Sequence, residues 1–122
     1  MIQLYFYKKN FDTQKAERWF SERRIPVQKV DLTRARLSRR EIDVFIRQTG
    51  LDALIDRDSK AWQESPARYA GDSGAVFDAL LKHPNLLKGP IVRNGNLVTV
   101  GFQPDRWADW SVTRSKKEEK NE

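Results

Sequence analysis

Residues 2–7 read Ile-Gln-Leu-Tyr-Phe-Tyr, a β-branched, aromatic and aliphatic run with almost no polar interruption. A strand carries such a run where both of its faces are covered, so this segment is expected at the centre of a sheet. The next thirty residues limit which sheet that is. Lys8-Lys9-Asn10-Phe11-Asp12 is a polar connection, and Asp12 or Thr13 is placed to cap a helix with Glu17 in its first turns. Ala16, Trp19 and Phe20 recur at i, i+3 and i+4, giving that helix an apolar stripe as far as about Arg24. Ile25-Pro26 breaks it, and Val27 to Leu32 alternates apolar with polar as a second strand does. A strand, a crossover helix and a strand imply a parallel pair.

The rest of the chain alternates helices with turns before returning to strands. Ser38 followed by Glu41 is a capping box; Ile42, Phe45 and Ile46 form the stripe of the helix it opens, and Gly50 closes that helix. Leu51, Leu54 and Ile55 suggest a further helical turn, and residues 56–73 read as a loosely helical connector anchored by Trp62 and Tyr69. Ala75 to His83 is an amphipathic helix stopped by Pro84. Ile91-Val92 and Leu97 to Val100 flank Asn94-Gly95, a strong hairpin signal, and Pro104 opens a last short helix with Trp107 and Trp110. The expected architecture is α/β and thioredoxin-like. It has a four-stranded mixed sheet with helices on both faces within a single domain at 1–110, and a charged tail at 111–122.

The chain of 122 residues contains no cysteine and a single histidine, His83. Disulfides, thiolate nucleophiles and thiolate metal sites are therefore excluded, and a zinc site or a Ser-His-Asp triad would have to rely on His83 alone. No metal and no cofactor is expected. His83 precedes a proline at a helix end, where a structural role accounts for it. Core packing accounts for Trp19, Trp62, Phe77 and Trp107. No run approaches the ~20 apolar residues of a membrane helix, and Met1 leads directly into the first strand without a signal peptide, so a cytoplasmic protein is expected.

Four segments together resemble one family. Leu4-Tyr5 followed by Lys15-Ala16 and Trp19 is similar to the opening of the ArsC/Spx/YffB family of arsenate reductase-like proteins. Ser59-Lys60-Ala61-Trp62-Gln63 resembles the Ser-Lys-x-aromatic-Gln of its Spx branch. His83-Pro84 with Leu86-Leu87-Lys88-Gly89-Pro90-Ile91-Val92 resembles the family's helix end and the proline before its third strand, and Val100-Gly101-Phe102 with Pro104 and Trp107 resembles its close. The resemblance covers roughly residues 1–110. It implies a thioredoxin-like fold with an inserted helical subdomain at about 38–83 and a cis peptide before Pro90, beside the active-site loop.

The chain departs from that family at its chemistry. Family enzymes carry a nucleophilic cysteine after the first strand; in register on Leu4 and Trp19 that position is Asn10, or Phe11 with a shift of one residue. The second cysteine of the Spx pair falls at Thr13, so residues Asn10, Phe11, Asp12 and Thr13 form a vestigial loop. The family's oxyanion arginines fall near Asp58 (with Arg57 beside it), at Gly89 and at Phe102. Exchanging arginine for aspartate beside an oxyanion turns attraction into repulsion, and losing the nucleophile removes the covalent step. The implied function is a non-catalytic, Spx-like protein-binding or regulatory module. The alternative is a reductase-like oxidoreductase using glutathione as an external thiol along Pro90 and Ile91.

Charge points to a binding region. Residues 8–47 hold 12 Lys/Arg against 6 Asp/Glu, while the remainder of the chain balances, so the net +6 belongs to this stretch. Arg34, Arg36, Arg39, Arg40 and Arg47 surround the start of the second long helix, where arginines oppose the helix dipole. They read either as a solvated face or as a contact for an acidic protein surface, RNA polymerase being the partner the Spx resemblance implies. Nucleic-acid binding is a third reading. It is the weakest, because no aromatic residue is interleaved with Arg34 to Arg40. The helix opening at Asn10 to Thr13 could hold an anion, with self-capping by Asp12 as the competing expectation.

Overall fold

The structure is a computed structural model in which residues 1–110 are described; the charged tail expected at 111–122 lies outside them. Four strands, β1 (Ile2–Phe6), β2 (Val27–Asp31), β3 (Ile91–Asn94) and β4 (Leu97–Val100), form one sheet in the order β2-β1-β3-β4. β1 runs parallel to β2 and antiparallel to β3, and β3 and β4 are antiparallel. The helices are α1 (Phe11–Glu22), α2 (Arg39–Thr49), the single turn α3 (Lys60–Gln63), α4 (Ser73–Lys82) and α5 at residues 104–110. Short 3-10 turns at Asp52–Leu54, Pro66–Tyr69 and Pro84–Leu86 account for the loosely helical connections. The expected mixed sheet with helices on both faces is the observed one.

β1 is buried on both sides, as its sequence requires. Ile2, Leu4 and Phe6 join Ala16, Phe20, Val92 and Trp107 in a core beneath α1 and α5. Tyr5, from the opposite face, joins Ile42, Phe45, Leu54, Trp62, Leu80 and Ile91 in a second core beneath α2 to α4. Each large apolar side chain removed from water this way contributes about 1.5–3 kcal/mol before entropy is counted. The polar tips are satisfied as well: Trp107 Nε1–H donates to Thr99 Oγ1 at 2.8 Å, and no buried side-chain N or O among the described residues lacks a partner.

Two local expectations shift. α1 stops at Glu22, and the chain closes it with Arg24 in the left-handed region (φ 56°): Ile25 N–H donates to Phe20 O at 3.0 Å and Arg24 N–H to Ser21 O at 3.1 Å. That closing pattern normally uses glycine at this position. The hairpin loop is Gly95-Asn96, because Asn94 still pairs with Leu97. Gly95 takes the positive φ (62°) at the first central position, as a II′ turn requires. The capping box is present in full, Ser38 and Glu41 each accepting from the other's backbone N–H. Among the described residues, no helix is long and apolar enough to cross a membrane.

Candidate functional site

The loop between β1 and α1 meets the segment before β3, where the Gly89–Pro90 peptide is cis. Asn10, in extended conformation, is the residue that joins them. Its Oδ1 accepts from Thr13 N at 2.7 Å and from Thr13 Oγ1 at 2.8 Å, while its Nδ2 donates to Gly89 O at 3.1 Å. The amide group is thereby fixed through both its ends. Its oxygen takes up a backbone donor of the α1 terminus that a bound anion would otherwise use. A thiolate in this place has no hydrogen to donate to Gly89 O.

This geometry corrects the expected cap. Neither Asp12 nor Thr13 caps α1; both lie in its first turn, and Asn10 does the capping. The asparagine wins because its amide stands one step before the first helical residue, where a side-chain oxygen reaches the N3 donor. Asp12 instead adds a carboxylate near the positive end of the helix. Phe11 turns outward at 82% exposure, and Thr13 is fully buried. Of the two candidate nucleophile positions, Asn10 is the one hydrogen-bonded to the Gly89–Pro90 segment.

The cations around the loop are already engaged. Lys9 Nζ lies 3.2 Å from Glu17 Oε1, and Lys29 Nζ lies 2.7 Å from Glu17 Oε2. Burial alone would raise the Glu17 carboxyl, but the hydrogen bonds and charges of Lys29 and Lys9 outweigh it and hold it below the usual carboxylate range. Lys9 is therefore paired rather than simply solvated. Arg57 bonds Asp52 at 2.8 Å and lies over the Trp62 ring, Asp58 is exposed, and Phe102 packs edge-on against Trp107 with the Lys15 ammonium over its ring.

The basic region divides. Arg34 and Arg36 lie in the loop after β2, and Arg39, Arg40 and Arg47 on α2; all five are exposed. Arg39 Nη2 bonds Asp78 Oδ1 at 2.8 Å and its guanidinium lies over Phe77, so it bridges α2 to α4. The side chains of Arg34, Arg36, Arg40 and Arg47 have no hydrogen-bond or ion-pair partner among the described residues. Arg40 and Arg47 border a groove of about 480 Å³ that is also lined by Arg93 and Asn96 of the hairpin.

Arg93 does not stand out in the sequence. The only signal for it is its place just before the hairpin turn, and which helix packs over that hairpin is a tertiary fact.

Tyr5 fixes α2 from below. Its hydroxyl donates to Glu41 Oε2 at 2.9 Å and lies 3.1 Å from Gln3 Oε1. Burial and the adjoining Glu41 carboxylate push the Tyr5 phenol up to about 12, against a smaller opposing effect of Arg93.

The family model of the ArsC family matches residues 5–110. The chain belongs to the ArsC family. Within it, the chain is similar to regulators: the global transcriptional regulator Spx of Listeria innocua is 30% identical over 110 residues, covering 86% of this chain and 82% of the relative. Spx 1 of Oceanobacillus iheyensis is 29% identical over 108 residues, with the same coverage. Solved structures agree on the fold. A YFFB protein superposes with a TM-score of 0.80 at 22% identity, covering 89% of this chain and 97% of the other. An arsenate reductase from Vibrio cholerae superposes with a TM-score of 0.75 at 19% identity, covering 86% and 92%. This ArsC-family chain has no cysteine anywhere in its sequence.

Proposed function

We propose that this cysteine-less ArsC-family chain is a non-catalytic binding module, regulatory in the manner that the names of its Spx relatives describe. The observation that carries the reading is Asn10. The residue at the nucleophile position implied by the resemblance is built into the scaffold by three hydrogen bonds. The resemblance puts the family's oxyanion arginines near Asp58 and at Gly89 and Phe102, and Arg57 is paired with Asp52. What the molecule offers a partner is charge: the guanidinium groups of Arg34, Arg36, Arg40 and Arg47 are exposed and have no hydrogen-bond or ion-pair partner among the described residues, which suits an acidic protein surface. RNA polymerase is the partner that the Spx resemblance nominates, and such a partner would place the chain in the cytoplasm.

The test is direct binding of RNA polymerase from the native host to wild type and to an R36E/R40E/R47E variant. Arg39 is left alone because it holds Asp78. The proposal expects retention by wild type and at least a tenfold loss in the variant at moderate salt. Equal retention by both proteins overturns the basic face as the contact, and no retention by wild type overturns RNA polymerase as the partner.

A further inference from the structure

The outer stripe of α2 carries an alternating charge pattern. Arg40, Asp43 and Arg47 stand at i, i+3 and i+7, which puts them on one side of the helix with the two arginines about 10 Å apart along its axis. All three are exposed. Asp43 is within one turn of each arginine, yet none of the three side chains makes an ion pair or hydrogen bond with any described residue. The nearest other carboxylate on the helix, Glu41, is held by Ser38 and Tyr5. Beside the stripe, Arg93 and Asn96 of the hairpin complete the groove of about 480 Å³, and Arg93 Nε is fixed by Gly95 O at 2.7 Å.

Asp43 selects among possible occupants. A nucleic-acid strand presents a phosphate about every 3.4 Å of axis, so it cannot span both arginines without setting negative charge against Asp43. A protein segment can leave that place basic. We infer that this groove is a docking site for a protein helix bearing two carboxylates about two turns apart with a lysine or arginine between them. The inference rests on reading the chain as a protein-binding module and adds the chemistry of the partner.

Two synthetic helical peptides test it by calorimetry or fluorescence anisotropy on the full chain. One has glutamates seven residues apart with a lysine between; the other has a third glutamate in the lysine's place. Wild type is expected to prefer the lysine-centred peptide by about fivefold, the scale of one exposed charge pair. Asp43→Lys should reverse that order, and R40E/R47E should abolish binding of both. All three positions are exposed, so circular dichroism should show the variants folded. A wild-type preference for the more acidic peptide, expected of any net-positive surface, overturns the inference. So does tighter binding of a short DNA duplex than of either peptide, or failure of both peptides to bind. None of these results decides whether the chain retains RNA polymerase, so the two readings fail separately.

Discussion

Asn10 is a small polar residue whose oxygen and nitrogen do different work. The oxygen takes the orphan donor of the α1 terminus together with the Thr13 hydroxyl, and the nitrogen secures the carbonyl before Pro90. Losing a helix cap costs about 1 kcal/mol, and the lost link to Gly89 adds to it, so Asn10→Ala should destabilise the protein by about 1–2 kcal/mol. Asn10→Asp keeps the cap but sets a carboxylate against Gly89 O, so it should retain only part of that stability. Urea unfolding of the three proteins checks the order: wild type, then aspartate, then alanine. That residues 10–13 open α1 was legible in the sequence. The residue that caps the helix was not, because Asn10, Asp12 and Thr13 are all capping types and only the backbone geometry chooses among them.

The elements follow their sequence signals wherever the signal is local. β1 was legible from its unbroken apolar run, α2 from its capping box and Gly50, and the mixed strand directions from a crossover followed by a hairpin. The end of α1 is where residue preference and backbone diverge. Arg24 occupies a left-handed conformation that an L side chain adopts at a cost of roughly 1–2 kcal/mol. Arg24→Gly should therefore stabilise the protein by up to about 1 kcal/mol, glycine's extra freedom in the unfolded chain offsetting part of the gain. Chemical denaturation reads this directly; a loss of stability would mean that the arginine side chain contributes more than its backbone costs. Contacts made across elements were not legible. Tyr5 with Glu41 joins β1 to α2 across 36 residues, and Arg93 meets Arg40 and Arg47 only because α2 lies over the hairpin.

At the scale of the molecule, Glu17 ties the β1–α1 loop and the edge strand β2 to α1 through Lys9 and Lys29. Its carboxyl is held below the ordinary value in the folded protein, so its contribution is present above the unfolded pKa of about 4.3 and is lost as pH falls through the folded value. Glu17→Gln should reduce stability near neutral pH by about 1 kcal/mol and flatten its fall below about pH 5, measured by unfolding across that range. A parallel acid limb in the variant would assign the acid sensitivity to other groups. The wider account is of an ArsC-family fold in which Asn10 is hydrogen-bonded into the scaffold and five exposed arginines lie on α2 and the loop before it. The most direct measurement is arsenate turnover with excess glutathione, on wild type and on Asn10→Cys. Introducing a thiol still leaves Asp58, Gly89 and Phe102 where the resemblance expects arginines, so both proteins should match the no-protein blank. A rate above the blank for wild type would contradict the account.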